Sequence, residues 1–305
     1  AADLVYYGED QAAYADRYEL KTNEDENDWS DLISLVDFLT NTTSEEFAAG
    51  IDFRVAVDAY LRSAALDMLF SNLDSYTGSA RNYYIYHNDD TNLWEWIKWD
   101  GNEAFGSYAN NAGNMETLAV DYSDAPRPLL EKMLGHPDLY ARYLAQVCDL
   151  TEAFFNEAYL FPRIDAGAEL IAPFVYADDN KMYSNANFDT NIDADLGGGG
   201  MGGGSIYGLK PFVTNRSAFV SGQVDCTASL SVEEKAPFWR VYPNPVSTAL
   251  NVDWGVPSNV QVLVRNTLGQ VVASEKVRQA TGVVLPVEGL PPATYLIEVQ
   301  EAGLV

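Results

Sequence analysis

The spacing of apolar residues changes once along this chain, and that change constrains its architecture most. Up to about residue 222 apolar residues recur mainly at helical intervals around one aromatic hairpin; from Trp239 they fall in short β-type runs separated by Pro, Gly and Asn turns. Two domains are expected, and 305 residues are enough for both. Charge divides at the same place: residues 1–236 hold 14 Lys and Arg against 40 Asp and Glu, and residues 237–305 hold 4 against 5. The expected fold class is α+β followed by a small all-β, immunoglobulin-like sandwich. The expected domains cover 1–224 and 239–305, with a linker over 225–238.

In the first part Leu32, Leu35, Val36 and Leu39 predict a helix over Trp29–Leu39, with Ser30 or Asp31 at its start. Val57, Leu61, Ala64, Ala65, Met68 and Leu69 predict a stronger one, running from an N-cap at Asp52 to Ser71-Asn72. Tyr83–Tyr86 and Leu93–Trp99 flank a turn-forming segment and predict a β-hairpin. Pro128–Leu160 reads as two helices broken at Pro137. Residues 178–204 are rich in Asp, Asn and Gly and lack the Lys-Ser/Thr of a phosphate-cradling loop, so they read as a flexible surface loop before ordered structure resumes at Gly208–Gly222. In the second part short strands are expected at Leu250–Trp254, Val260–Arg265, Val271–Ser274, Val283–Val287 and Tyr295–Val299.

A formal net charge of −27 argues against nucleic acid or an anionic membrane surface as a partner and suits divalent cations. No uninterrupted apolar run reaches about 18 residues, so no transmembrane segment is expected. The chain opens Ala-Ala-Asp-Leu-Val without an initiator Met or a signal-peptide pattern, so a piece of a longer protein is expected. Cys148 and Cys226 match no zinc spacing; two buried free thiols are the simpler reading, and a disulfide is open in an oxidising compartment. Neither His87 nor His136 supports a Ser-His-Asp or Cys-His arrangement.

Polar residues concentrate at element ends in three runs: Asn72-Leu73-Asp74, Arg81-Asn82, and Asp100-Gly101-Asn102-Glu103. A hairpin carries Asn82 and Asp100 to one end of the sheet, near the loop that holds Asp74. Phosphoryl transfer needs a carboxylate to accept a hydroxyl proton and oxygen ligands for Mg²⁺. Asp74 is the candidate catalytic base, Asp100, Asn82 and Asn102 the candidate metal ligands, and Arg81 the candidate cofactor-binding residue. The competing reading is structural, because Asp and Asn at such positions are ordinary turn and capping residues.

These runs, with Tyr18–Asn23 before them and Phe105-Gly106 after, resemble the central part of the CotH (spore-coat protein H) family of atypical protein kinases, in order and spacing across residues 1 to about 222. The resemblance implies that Asp74 matches the catalytic aspartate and Asp100 the metal-binding one. It also implies phosphorylation of serine in partner proteins with ATP and a divalent metal, Mg²⁺ or alternatively Ca²⁺. The amino-terminal lobe of that family is expected mostly upstream of Ala1, so Lys21 is not assigned the phosphate-binding lysine's role. Asn102 and Glu103 stand where some relatives carry a second aspartate, which changes the ligand charge. Val241–Val246, Asn266–Val272 and Gly289–Leu296 are similar to the type A sorting domain of the type IX secretion system. That similarity implies export across the outer membrane in Bacteroidetes-like bacteria, a secreted or cell-surface location, and removal of the tag at the surface. The family's basic tail is expected beyond Val305. The alternative function is a non-catalytic attachment protein whose acidic segment Asp178–Asp195 binds Ca²⁺.

Overall fold

The computed structural model describes residues 1–88, 91, 93–124, 126–199, 205–226 and 240–301. The chain forms two compact units, Ala1–Leu230 and Ser231–Val305. Residues 227–238 of the expected linker lie outside the described residues.

The first unit is built on α2 (Ser30–Asn41), α3 (Ser44–Gly50), α4 (Val57–Leu69), α5 (Pro128–Gly135), α6 (Pro137–Ala153) and α9 (Leu209–Gln223), after a short α1 (Ala12–Ala15). A two-stranded antiparallel sheet, β1 (Tyr83–Asn88) and β2 (Leu93–Lys98), packs on this helical core. The helix expected from Asp52 is two elements, a 3₁₀ turn and α4, with α3 ahead of them. Thr43 caps α3 through a capping box with Glu46, a 3₁₀ turn spans Ile51–Phe53, and α4 starts only at Val57. Asp52 instead forms a two-point ion pair with Arg142 of α6, which also reaches Asp58. In α4 Tyr60, Leu61, Ala64, Ala65 and Met68 are all buried, so one continuous stripe seats the helix that leads into the Asp74 loop.

Two expectations are corrected between 154 and 206. The helical segment does not stop near Leu160: Asn156 caps a separate 21-residue helix, α7 (Glu157–Ala177), which carries Pro162 and Pro173 in its interior and buries none of its residues. Of the expected loop, residues 178–184 hold no helix or strand, but 185–193 and 196–199 do. Ser184 caps α8 (Asn185–Asp193), and β3 (Leu196–Gly199) pairs with β4 (Ser205–Ile206). Phe188 and Ile192, one helical turn apart, supply α8 with the apolar face that its Asp and Asn content obscures. Gly200–Gly204 lie outside the described residues.

Two buried arginines hold this unit together through bonds from their guanidinium groups to main-chain carbonyls. Arg216 on α9 donates to Met68 O at 2.7 Å, at the end of α4, and to the carbonyls of Glu116 and Leu118. Burial lowers its pKa to about 10, with Tyr143 opposing the shift. Arg127 donates to the carbonyls of Tyr76, Gly78 and Pro126. The free-thiol reading is also corrected: Cys148 of α6 and Cys226, just past α9, form a disulfide with their Cα atoms 5.6 Å apart.

In the second unit β5 (Arg240–Tyr242), β6 (Ala249–Asn266), β7 (Val271–Pro286) and β8 (Tyr295–Glu301) form one antiparallel sheet. The paired runs expected at 250–254 and 260–265 are one long strand, as are those at 271–274 and 283–287. β6 is central: β7 runs along one edge, and the other edge takes β5 near Asn251–Asp253 and β8 from Val260 to Asn266. Register shifts between Asp253 and Val260 divide the long strands. Leu250, Val252 and Trp254 on one side of that break share a buried core with Val260, Val262 and Val264 on the other, which gives the sandwich-like packing.

Candidate functional site

After α4 the chain turns sharply at Ser71, whose φ of 46° is left-handed and whose Oγ donates to Met115 O at 2.7 Å. Asn72 is buried: its main-chain N–H donates to Asp67 O at 2.8 Å and its Nδ2 to Asp67 Oδ1 at 3.0 Å. The turn ends in a loop that places Asp74 with its side chain 17 % exposed. Ser79 Oγ donates to Asp74 Oδ1 at 2.8 Å, and Asn82 Nδ2 donates to Asp74 Oδ2 at 2.8 Å and to Asp74 O at 2.7 Å. Asn82 sits at φ 59°, a conformation Asn tolerates better than most residues. Arg81 Nε is 3.6 Å from Asp74 Oδ1, so the cofactor-binding candidate is already beside the carboxylate and is mostly exposed.

The hairpin register sets the other side. Tyr83 pairs with Lys98, and the ladder continues one step as Trp99 N–H donates to Asn82 O at 3.1 Å. Asp100 is the next residue, exposed and at φ 47°. Asn102 is also exposed, and among the described residues neither side chain has a hydrogen-bond partner. The loop is tied down at its far end, where Gly106 N–H donates to Phe70 O and Phe105 packs edge-on against Phe70 and Phe212. The structure thus joins Asp74 to Asn82 directly, brings Arg81 to them, and holds Asp100 one residue past the hairpin end that Asn82 closes. Lys21 takes no part, being paired with Glu19 at 2.6 Å.

Four contributors escaped the sequence reading. Ser79 is one. Arg127 is another, since it braces Tyr76 O and Gly78 O on the loop that carries Asp74. Asp67 and Lys98 are the others: this ion pair ties α4 to β2 two residues before Asp100. Burial raises the pKa of Asp67, against the lowering effects of Lys98 and Asn72. A period-two reading locates Lys98 on the Trp94 and Trp96 side of β2, the side that packs on the core, and a lysine there needs an acid.

Gly78 has a geometric reason to be glycine: a Cβ there would lie 2.2 Å from Leu73 O. Gly78→Ala is therefore expected to displace the loop and weaken Arg127's hold on it. We expect destabilisation of about 1–3 kcal/mol in a denaturant melt. A variant with an unchanged midpoint would show that the loop has room to spare.

Among the described residues no three His, Cys, Asp or Glu side chains converge as a metal cluster. In the segment expected to bind Ca²⁺ four of the five carboxylates have protein partners: Asp178 accepts from Asn180 N–H, Asp189 from Tyr176 OH, and Asp195 from Gly208 N–H, while Asp193 pairs with Lys210.

Fold and site define a two-unit protein: an α+β domain with a carboxylate-amide cluster at a hairpin end, followed by a small β domain with its own core. Comparison with known proteins places each unit. The family described as CotH kinase protein matches residues 1–219, and the chain belongs to it. The secretion system C-terminal sorting domain matches residues 240–304. The chain is 30 % identical over 181 residues to inner spore coat protein H of Bacillus subtilis, covering 58 % of this chain and 47 % of that one, so it spans about half the relative's length. The sorting domain implies a secreted or outer-surface location and involvement of the type IX secretion machinery. No helix among the described residues is long and apolar enough to cross a membrane.

Proposed function

We propose that the first unit is a secreted protein kinase that transfers the γ-phosphoryl group of ATP to a serine hydroxyl of a partner protein. The observation that carries this reading is the direct bond of the Asn82 amide to Asp74 at the hairpin end that Asp100 follows. Asp74 acts as the base. Its oxygens are oriented by Ser79 and Asn82, and each keeps a lone pair for the serine proton as the serine oxygen bonds to the γ-phosphorus and the bond from that phosphorus to the β,γ-bridging oxygen breaks, releasing ADP.

The donors fit a hard divalent cation. Nδ2 of Asn82 is committed to Asp74, and among the described residues its Oδ1 has no hydrogen-bond partner, which leaves it to ligate. Asp100 and Asn102 add one carboxylate and one amide oxygen, so few protein ligands leave positions for water and phosphate oxygens, which Mg²⁺ favours. When bound, Mg²⁺ neutralises phosphate charge. Arg81, exposed beside Asp74, supplies a second positive group for a phosphate oxygen.

The test is transfer of ³²P from γ-labelled ATP to a serine-rich acceptor in the presence of Mg²⁺. Asp100→Asn should lose at least about 100-fold in rate while melting like the wild type, since the replaced oxygen has no described partner and Asn suits the left-handed backbone. Asp100→Ala should be equally inactive but about 1 kcal/mol less stable. A folded wild type that labels no serine acceptor would overturn the proposal.

A further inference from the structure

We infer that the cavity between α7 and α8 binds a single-chain anionic amphiphile, a fatty acid in the simplest case, at a site separate from the Asp74 cluster. Ile164, Ala168, Ile171 and Val175 of α7 fall at intervals of four, three and four residues and line one wall. Phe188 and Ile192 of α8 face them, with Leu209 and Phe105 also lining the cavity, whose volume is about 530 Å³. That volume and a mainly apolar lining are typical of small-ligand pockets. Gly167 and Ala168 keep the α7 wall low: a Cβ on Gly167 would meet nothing within 4 Å.

Charge identifies the kind of ligand. The chain carries 45 acidic residues against 18 basic ones, yet the lining holds Arg163 and Lys181 and no carboxylate. Neither cation has an acidic partner among the described residues. Arg163 donates to Tyr159 O and lies over the Tyr159 ring, and Lys181 donates to Asp178 O. The nearby acids Asp165 and Asp193 are instead engaged by Lys210. Apolar walls with two uncompensated cations complement an acyl chain that ends in an acid. A neutral apolar ligand would not use the cations, and a hydrophilic anion would not use the walls. α7 buries none of its residues, so an acyl chain would cover the stripe that its own fold leaves accessible.

The experiment is fluorescence titration of the full chain with cis-parinaric acid, followed by displacement with myristate or with tetradecanol. Saturable one-to-one binding is expected, with myristate displacing the probe better than the alcohol. The Arg163→Gln, Lys181→Gln double variant should weaken myristate about fivefold and leave tetradecanol unchanged. Ala168→Trp fills the cavity and should weaken both by more than about tenfold, with its melting temperature checked so that loss of fold is not read as loss of site. No saturable binding by the folded wild type, equal affinity for acid and alcohol, or unaltered binding by Ala168→Trp would each overturn the inference. So would a wild-type dimer in light scattering that Ile171→Asp dissociates, because a second copy would then cover the face. None of these readouts involves phosphoryl transfer, so the result stands or falls independently of the kinase reading.

Discussion

Replacing Asp74 with Asn is expected to slow serine phosphorylation by about 10²–10⁴-fold while the protein stays folded. The size follows from the proposed role: the amide has the same shape but cannot take the serine proton, so the whole contribution of general base catalysis is lost. The fold should survive because the bonds at stake are few and partly exposed. Ser79 can still donate to an amide oxygen and Asn82 can still donate to Asp74's main-chain carbonyl, which leaves only the Asn82 Nδ2 contact at Oδ2 and the loose Arg81 pair to be lost. A stability loss of about 1–2 kcal/mol is expected. The same geometry supplies a control: Ser79→Ala removes one orienting bond and should reduce the rate by roughly tenfold, far less than Asp74→Asn. If Asp74→Asn labels serine at the wild-type rate, the carboxylate is a structural group and the proposed role is wrong. If the variant unfolds instead, Asp74→Asn and Ser79→Ala should fail together, which separates the two explanations.

The hairpin and the residues at its end were legible because the signals there are local. Aromatic and β-branched residues in Tyr83–Tyr86 and Leu93–Lys98 define the strands, and antiparallel pairing then brings residue 82 next to residue 99. What the sequence could not convey was the support, which comes from far along the chain. Arg127 reaches back 51 residues to Tyr76 O, and Arg216 reaches back 148 to Met68 O. Neither has a local motif, because a buried guanidinium bonded to carbonyls leaves no acid in sequence to mark its partner. α7 was cut short for a different reason. Pro162 and Pro173 are breaking signals read alone, yet Asn156 starts a new helix that carries through both. The split strands of the second unit reflect one more limit: Gly255 to Ser258 look like a turn between strands, whereas β6 continues through them with a shift in register.

These supports converge on the end of α4, and that convergence explains why the first unit needs its carboxy-terminal helix. Met68 O, the last carbonyls of α4 and the turn at Ser71 precede Asp74 by only a few residues, and Arg216 of α9 adds a side-chain donor to Met68 O, which also accepts from Ser71 N–H at 3.2 Å. α9 is in turn closed by buried Val224 and by Cys226. A defect at residue 226 is therefore expected to reach the Asp74 loop through α9, Arg216 and α4 in that order.

Opening the Cys148–Cys226 disulfide, by reduction or by Cys148→Ser with Cys226→Ser, is expected to cost the first unit about 4.5 kcal/mol. The bridge joins residues 78 apart, and in the chain-entropy description closing a loop of that length removes this much freedom from the unfolded state. For a domain of this size the melting temperature should fall by about 10–15 °C. The effect should be felt at α9 first, because the bridge anchors its end to α6. Loss of that anchor frees Val224 and then Arg216, whose buried guanidinium is held by bonds to main-chain carbonyls. Hydrogen exchange should thus rise at the end of α9 and at the end of α4 before it rises in α2 or α5. An exported protein meets an oxidising environment where such a bridge persists, so the expected order of events also fits the route that the sorting domain gives it. A shift below about 2 °C in both the reduced protein and the double variant would mean that α9 is held by its packing alone, and the coupling from Cys226 to the Asp74 loop would have to be abandoned.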